Sequence, residues 1–158
     1  MKKWLLAVML LSVAASARHL ESRTGFGVTI HPYGTIPSMS MHYHMTDYQS
    51  TVILAGINTD SANKTFVLGG KYYQNAHLEE NLNFYVGVGG FMLSAKNGYP
   101  SSATGFELDG LFGAEFFPAG LPNLGIQFET GVGIRTLRQV SIATIGSGFL
   151  GGAIHYYF

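Results

Sequence analysis

The sequence contains no cysteine. Structural disulfides are therefore excluded, and so is membrane anchoring through an acylated cysteine. Charge is scarce as well: 11% of residues are Asp, Glu, Lys or Arg, against about 25% in ordinary soluble domains. Nine basic residues stand against nine acidic ones, so there is no basic excess to attract nucleic acid. Long apolar runs are also missing. No stretch approaches the roughly 20 apolar residues that a membrane helix needs. Hydrophobic content is nevertheless an ordinary 47%, aromatics reach 13%, and there are 21 glycines. The apolar surface must therefore be spread over alternating positions.

The chain opens Met1-Lys2-Lys3, runs apolar over residues 4–13 and then reads Ala15-Ser16-Ala17. A positive start, a short apolar run and a small-residue site are the three parts of a secretory signal peptide. Cleavage is expected after Ala17. It leaves one domain, residues 18–158, with seven basic and nine acidic residues.

Period-2 alternation dominates that domain. Segment 24–33 sets Phe26, Val28 and Ile30 against Gly25, Gly27, Thr29 and His31. Segment 38–46 sets Met39, Met41, Tyr43 and Met45 against Ser38, Ser40, His42 and His44. Segment 51–57 reads as a strand of ambiguous facing. Segments 65–73, 82–93, 106–117 and 124–135 alternate in the same way, and a last strand is expected over about 146–158. Turn chemistry separates them, at Gly34 with Pro37, at Asp47, and over 58–63, 75–81, 97–102 and 118–123. The pattern predicts about eight strands, no helix and no second domain.

On each clear strand one face is large and apolar, while the other is glycine, small polar or charged. A soluble sandwich would bury the first face and show the second to water. A membrane barrel inverts this, turning its apolar face to lipid and its polar face to the interior. The glycine-rich polar face suits a narrow lumen. Tyr72, Phe84, Phe116, Tyr156 and Phe158 fall at one rim, as an aromatic girdle would. Closure also pairs every backbone N–H and C=O, which lipid demands. The expected fold is all-β: a closed, antiparallel, up-and-down transmembrane β-barrel of about eight strands.

The terminal run Ile154-His155-Tyr156-Tyr157-Phe158 resembles the assembly signal of Gram-negative outer-membrane proteins. Its defining residues are a final Phe158 with Tyr156 and Ile154 at alternating positions before it. Residues 81–90 (NLNFYVGVGG) and 113–133 (GAEFFPAGLPNLGIQFETGVG) also resemble small barrels of the OmpA-like, OmpX-like and opacity type. The resemblance implies Sec-dependent export, residence in the outer membrane among lipid and lipopolysaccharide, and a monomer. It also implies transient partners in periplasmic chaperones and the barrel-assembly machinery. It is specific for location and silent on activity.

Six charged residues fall on the inward parity: Lys71, Glu107, Asp109, Glu115, Glu129 and Arg135. Paired carboxylates can do acid–base chemistry, but charges in a narrow lumen must be paired to be tolerated. A structural salt-bridge network is the expectation. The turn at 118–123 sets the register of the flanking strands, so that if Glu115 faces Gln127, Glu107 faces Arg135. Four histidines, His31, His42, His44 and His155, form a possible inward cluster. No tight metal motif surrounds them, and they are read as polar filler, with no metal and no cofactor expected. A lipid-A-modifying enzyme would need a Ser nucleophile with a His base. His31 and Ser40 are candidate neighbours, but both point away from lipid. The favoured function is therefore a structural or surface-interaction barrel without catalysis. A narrow or gated pore is the alternative, and a lipid-A-modifying enzyme the third option.

Overall fold

Residues 20–31, 36–59, 64–96, 101–145 and 150–158 are described by the computed structural model of the protein. The predicted signal peptide, residues 1–17, lies outside them. The strands are β1 (Thr24–His31), β2 (Ile36–His44), β3 (Gln49–Thr59), β4 (Lys64–Leu78), β5 (Leu82–Ala95), β6 (Ala103–Phe116), β7 (Leu124–Thr136), β8 (Val140–Thr144) and β9 (Gly151–Tyr157). From β1 to β8, each strand pairs antiparallel with the next. The ring closes because β9 pairs with both β7 and β1. The β7 strand has two partners in succession. Its residues 132–136 face β8, and its residues 124–129 face β9. Thus β8 and β9 together make the eighth stave of a closed up-and-down barrel.

This corrects the expectation of one last strand over 146–158. Residues 146–149 lie outside the described part, and the stave begins earlier, at Val140. A second correction concerns 75–81, expected as a connector. Pairing of β4 with β5 continues to Leu78, with a register shift between Asn75 and His77. A bulge lets a strand go on past a residue that breaks the alternation.

Facing follows parity. The ambiguous segment resolves with Val52 and Leu54 buried inside and Ile53 and Ile57 outside. The outer surface carries Phe26, Val28, Met39, Ile53, Leu68, Val86, Val88, Phe106, Leu108, Phe112, Val132 and Ile134, all exposed. An apolar surface this continuous around a closed sheet suits hydrocarbon, where no backbone edge is left unpaired. A charge placed on it discriminates the two solvents. Val88 sits near the middle of β5 and is 60% exposed. In a membrane, Val88→Arg is expected to cost about 2–4 kcal/mol of folding free energy, measured by urea titration in lipid vesicles. A change within about 0.5 kcal/mol, as at a water-exposed site, would refute the lipid-facing assignment.

The lumen differs from expectation in one respect. Its inner face is not only small and polar. Ile36, Leu54, Val67, Phe91 and Leu93 form one buried apolar cluster. Val52, Tyr73, Tyr85, Leu111 and Ile145 form a second. Leu20, Phe117 and Tyr157 form a third, at the end that carries the tight turns and Phe158. Eight strands enclose little more than their own side chains, so apolar groups at inward parity fill the space between polar layers.

Candidate functional site

The inward charges lie where parity puts them, but not in one network. Lys71 on β4 pairs with Glu129 on β7, whose other oxygen accepts from the Tyr73 hydroxyl at 2.8 Å. Nearer the opposite end, Glu107 on β6 and Arg135 on β7 are directly paired in register, and Arg135 Nε donates to Glu107 Oε2 at 2.5 Å. Glu115 and Gln127 are likewise register partners. The guanidinium is the less buried member of its pair, with its side chain 17% exposed against 1% for Glu107. Asp109 is buried, yet neither of its oxygens has a hydrogen-bond partner among the described residues. Glu115 belongs elsewhere.

Glu115 ends β6 inside a polar cluster near the turn-bearing end. From β2 come His42 and His44, two residues apart and therefore on the same inward face. From β9 come His155 and Tyr157, by the same rule. All five side chains are almost wholly buried. The His42 and His44 rings lie 4.4 Å apart, and His42 and His155 are 5.3 Å apart. His42 Nδ1 is 3.8 Å from Glu115 Oε1, and His44 Nε2 is 3.6 Å from Glu115 Oε2. The Tyr157 oxygen lies between them, donating to Glu115 Oε1 at 2.5 Å and only 2.6 Å from His42 Nδ1.

The surrounding bonds orient the rings. The Gln127 amide nitrogen lies 3.2 Å from His42 Nδ1, and Ser50 Oγ lies 2.8 Å from His42 Nε2. With the Gln127 amide N–H directed at Nδ1, that nitrogen accepts and the ring proton falls on Nε2, which then donates to Ser50. Ser40 Oγ is 2.8 Å from His155 Nε2. Two Ser–His pairs thus exist, but not the one anticipated. Ser40 faces Gly27 across the β1–β2 ladder, while His31 faces Ile36; the His31 side chain lies outside the described part. His31 and Ser40 are not neighbours because they sit four ladder steps apart.

The sequence reading missed Tyr157, Tyr73 and Ser50. The two tyrosines are legible by parity, since in each Tyr-Tyr doublet one ring points outward, Tyr72 or Tyr156, and the other inward. Ser50 is not, because it stands one residue before the segment of ambiguous facing.

No protein-family model matches the sequence, and the search of curated proteins found no match. Solved structures do match. The N-terminal β-barrel domain of Pseudomonas aeruginosa OprF aligns with a TM-score of 0.61 at 12% identity, over 89% of this chain and 100% of that one. The shared fold is a small closed antiparallel β-barrel of eight staves. Ail, the attachment invasion locus protein of Yersinia pestis, aligns with a TM-score of 0.47 at 15% identity, over 87% of this chain and 99% of that one. Neisserial surface protein A follows with 0.46 at 16% identity, over 86% and 94%. At those scores neither adds to the argument. In this barrel the three residues that resemble an assembly signal point outward: Ile154 is 48% exposed, Tyr156 50% and Phe158 74%. The Phe158 amide donates to the Thr24 carbonyl at 2.9 Å, closing the seam between the last and first staves.

Proposed function

We propose that the protein is an outer-membrane barrel of structural or surface-interaction type, without catalytic activity. The observation that carries this reading is the apolar exterior wrapped around a lumen closed by packed side chains. Lipid and lipopolysaccharide are its surroundings. Sec export, periplasmic chaperones and the barrel-assembly machinery bring it there, and it works as a monomer. Against a pore stand the apolar clusters that pack inside the lumen at several levels. Against a lipid-modifying enzyme stands the burial of both Ser–His pairs inside the barrel. A nucleophile for an acyl chain must face the chain.

Cell fractionation tests the reading. The protein is expected in outer membranes and to shift in gel mobility when heated. Deleting Phe158 should reduce insertion more than His155→Ala, because Phe158 is displayed outward while His155 is sealed inside. Recovery in the soluble periplasm would overturn the location. Equal insertion of the two variants would remove Phe158 from the assembly signal.

A further inference from the structure

We propose that His42, His44 and Glu115 form a buried binding site for a divalent transition-metal ion of the zinc type, with the Tyr157 oxygen as a fourth donor. Three donor atoms, one from each of the first three side chains, all lie within 4.8 Å of one another. Zinc bonds of 2.0–2.2 Å in tetrahedral geometry place neighbouring donors about 3.4 Å apart. The histidine–carboxylate separations, 3.8 Å from His42 Nδ1 to Oε1 and 3.6 Å from His44 Nε2 to Oε2, are close to that edge, with each imidazole nearest a different oxygen of Glu115. Two imidazoles and one carboxylate make a borderline donor set that suits Zn²⁺.

Two features favour a positive centre in this cluster. The first is charge. Among the inward groups Lys71 is taken by Glu129 and Arg135 pairs with Glu107, so Glu115 has no Lys or Arg partner among the described residues. The cation nearest the mouth, Arg23, lies over the Tyr157 ring at 5.9 Å and donates to Asn123. A buried carboxylate without a counter-charge is costly. The second is proximity. The Tyr157 oxygen lies 2.5 Å from Glu115 Oε1 and 2.6 Å from His42 Nδ1, so donor atoms from three strands converge on one point.

A divalent cation supplies the counter-charge at that point. His42 Nδ1 points into the cluster, where the ion would displace the Gln127 N–H, and its other nitrogen is held by Ser50. Such an outer-shell bond fixes a ligating imidazole. The Tyr157 oxygen must draw back by roughly 1 Å to become a ligand. Bound as a phenolate, with its proton released to solvent, it leaves one divalent cation balanced by one carboxylate and one phenolate. The donors come from β2, β6 and β9, so the ion would tie the last stave to two walls with which it shares no ladder. Leu20 and Phe117 seal this end around Tyr157; loading therefore accompanies folding.

The full barrel, unfolded in urea and refolded into detergent with Zn²⁺ or Co²⁺, is passed over a chelating resin. Metal is quantified, and folding is read from unheated gel mobility. The expected result is one ion per barrel, with the visible absorption of four-coordinate Co²⁺. The same occupancy is expected for His77→Ala, which removes the exposed His77–Glu79 pair as a competing site. Folded Glu115→Gln and His44→Gln barrels should hold the ion about tenfold more weakly or worse, and Tyr157→Phe should weaken it less. A wild-type barrel that folds and leaves the resin without metal overturns the proposal, whether or not the variants fold. So does unchanged occupancy in Glu115→Gln, or loss of the ion in His77→Ala.

Discussion

Replacing Lys71 by Met is expected to destabilise the barrel by about 3–5 kcal/mol, the usual cost of removing one partner from a buried ion pair. Both side chains of the Lys71–Glu129 pair are sealed, 2% and 4% exposed. Without the ammonium, Glu129 keeps only the Tyr73 hydroxyl as a donor among the described residues. The carboxylate then stands in a lumen too tightly packed to rehydrate it. Removing both charges, as Lys71→Met with Glu129→Gln, should cost clearly less than the two single changes added together. Arg135→Met should cost less than Lys71→Met, since its guanidinium reaches water. Urea titrations of the four proteins of the cycle measure the coupling. Additivity within about 0.5 kcal/mol would show that the pair is not energetically joined.

Gly27→Leu is expected to prevent the ring from closing. Gly27 lies on the inner face of β1 opposite His155 of β9, at the seam between the first and last staves. A Cβ there would fall onto the Ile154 carbonyl oxygen and stand 2.8 Å from His155 Cα. Both are backbone, so no rotamer change relieves the clash. Overpacking that side chains can absorb costs about 1–3 kcal/mol; here the strands themselves must separate, breaking the last ladder and exposing two edges to lipid. The unheated protein should lose its compact gel band. Gly110→Ala is the control, because its Cβ points outward and its nearest neighbour is the Val132 oxygen at 4.0 Å. A Gly27→Leu barrel as compact and as urea-resistant as Gly110→Ala would show that the seam is looser than described.

Both results depend on a property that is only partly visible in a linear sequence. Alternation assigns inside and outside: Phe26, Val28 and Leu108 outward, Lys71, Glu129 and His42 inward. It does so because strand side chains have a period of two and lipid and lumen demand opposite chemistry. The turn at 118–123 likewise sets a register across β6 and β7, because an antiparallel ladder moves one strand back as the other moves forward. The structure pairs Glu107 with Arg135 and Glu115 with Gln127 accordingly. Its Gly120 holds a positive φ of 82°, which glycine adopts without strain.

What alternation cannot supply is who meets whom across the lumen. Lys71 and Glu129 are 58 residues apart, on strands that share no ladder. Glu115 reads like any other inward carboxylate, and only closure brings it between His42, His44 and Tyr157. Asp109 carries the same parity as Glu107, yet has no hydrogen-bond donor to its oxygens among the described residues. The sequence by itself therefore determined most strands, their facing everywhere but over 51–57, and the closed, lipid-exposed architecture. Those follow from local periodicity and from the solvent on either side. Tertiary structure alone decided the division of the interior into two ion pairs, apolar layers and the histidine–glutamate cluster. Contacts across a barrel depend on strand tilt and on the closing register of β9 with β1, which arise only when the whole ring is complete.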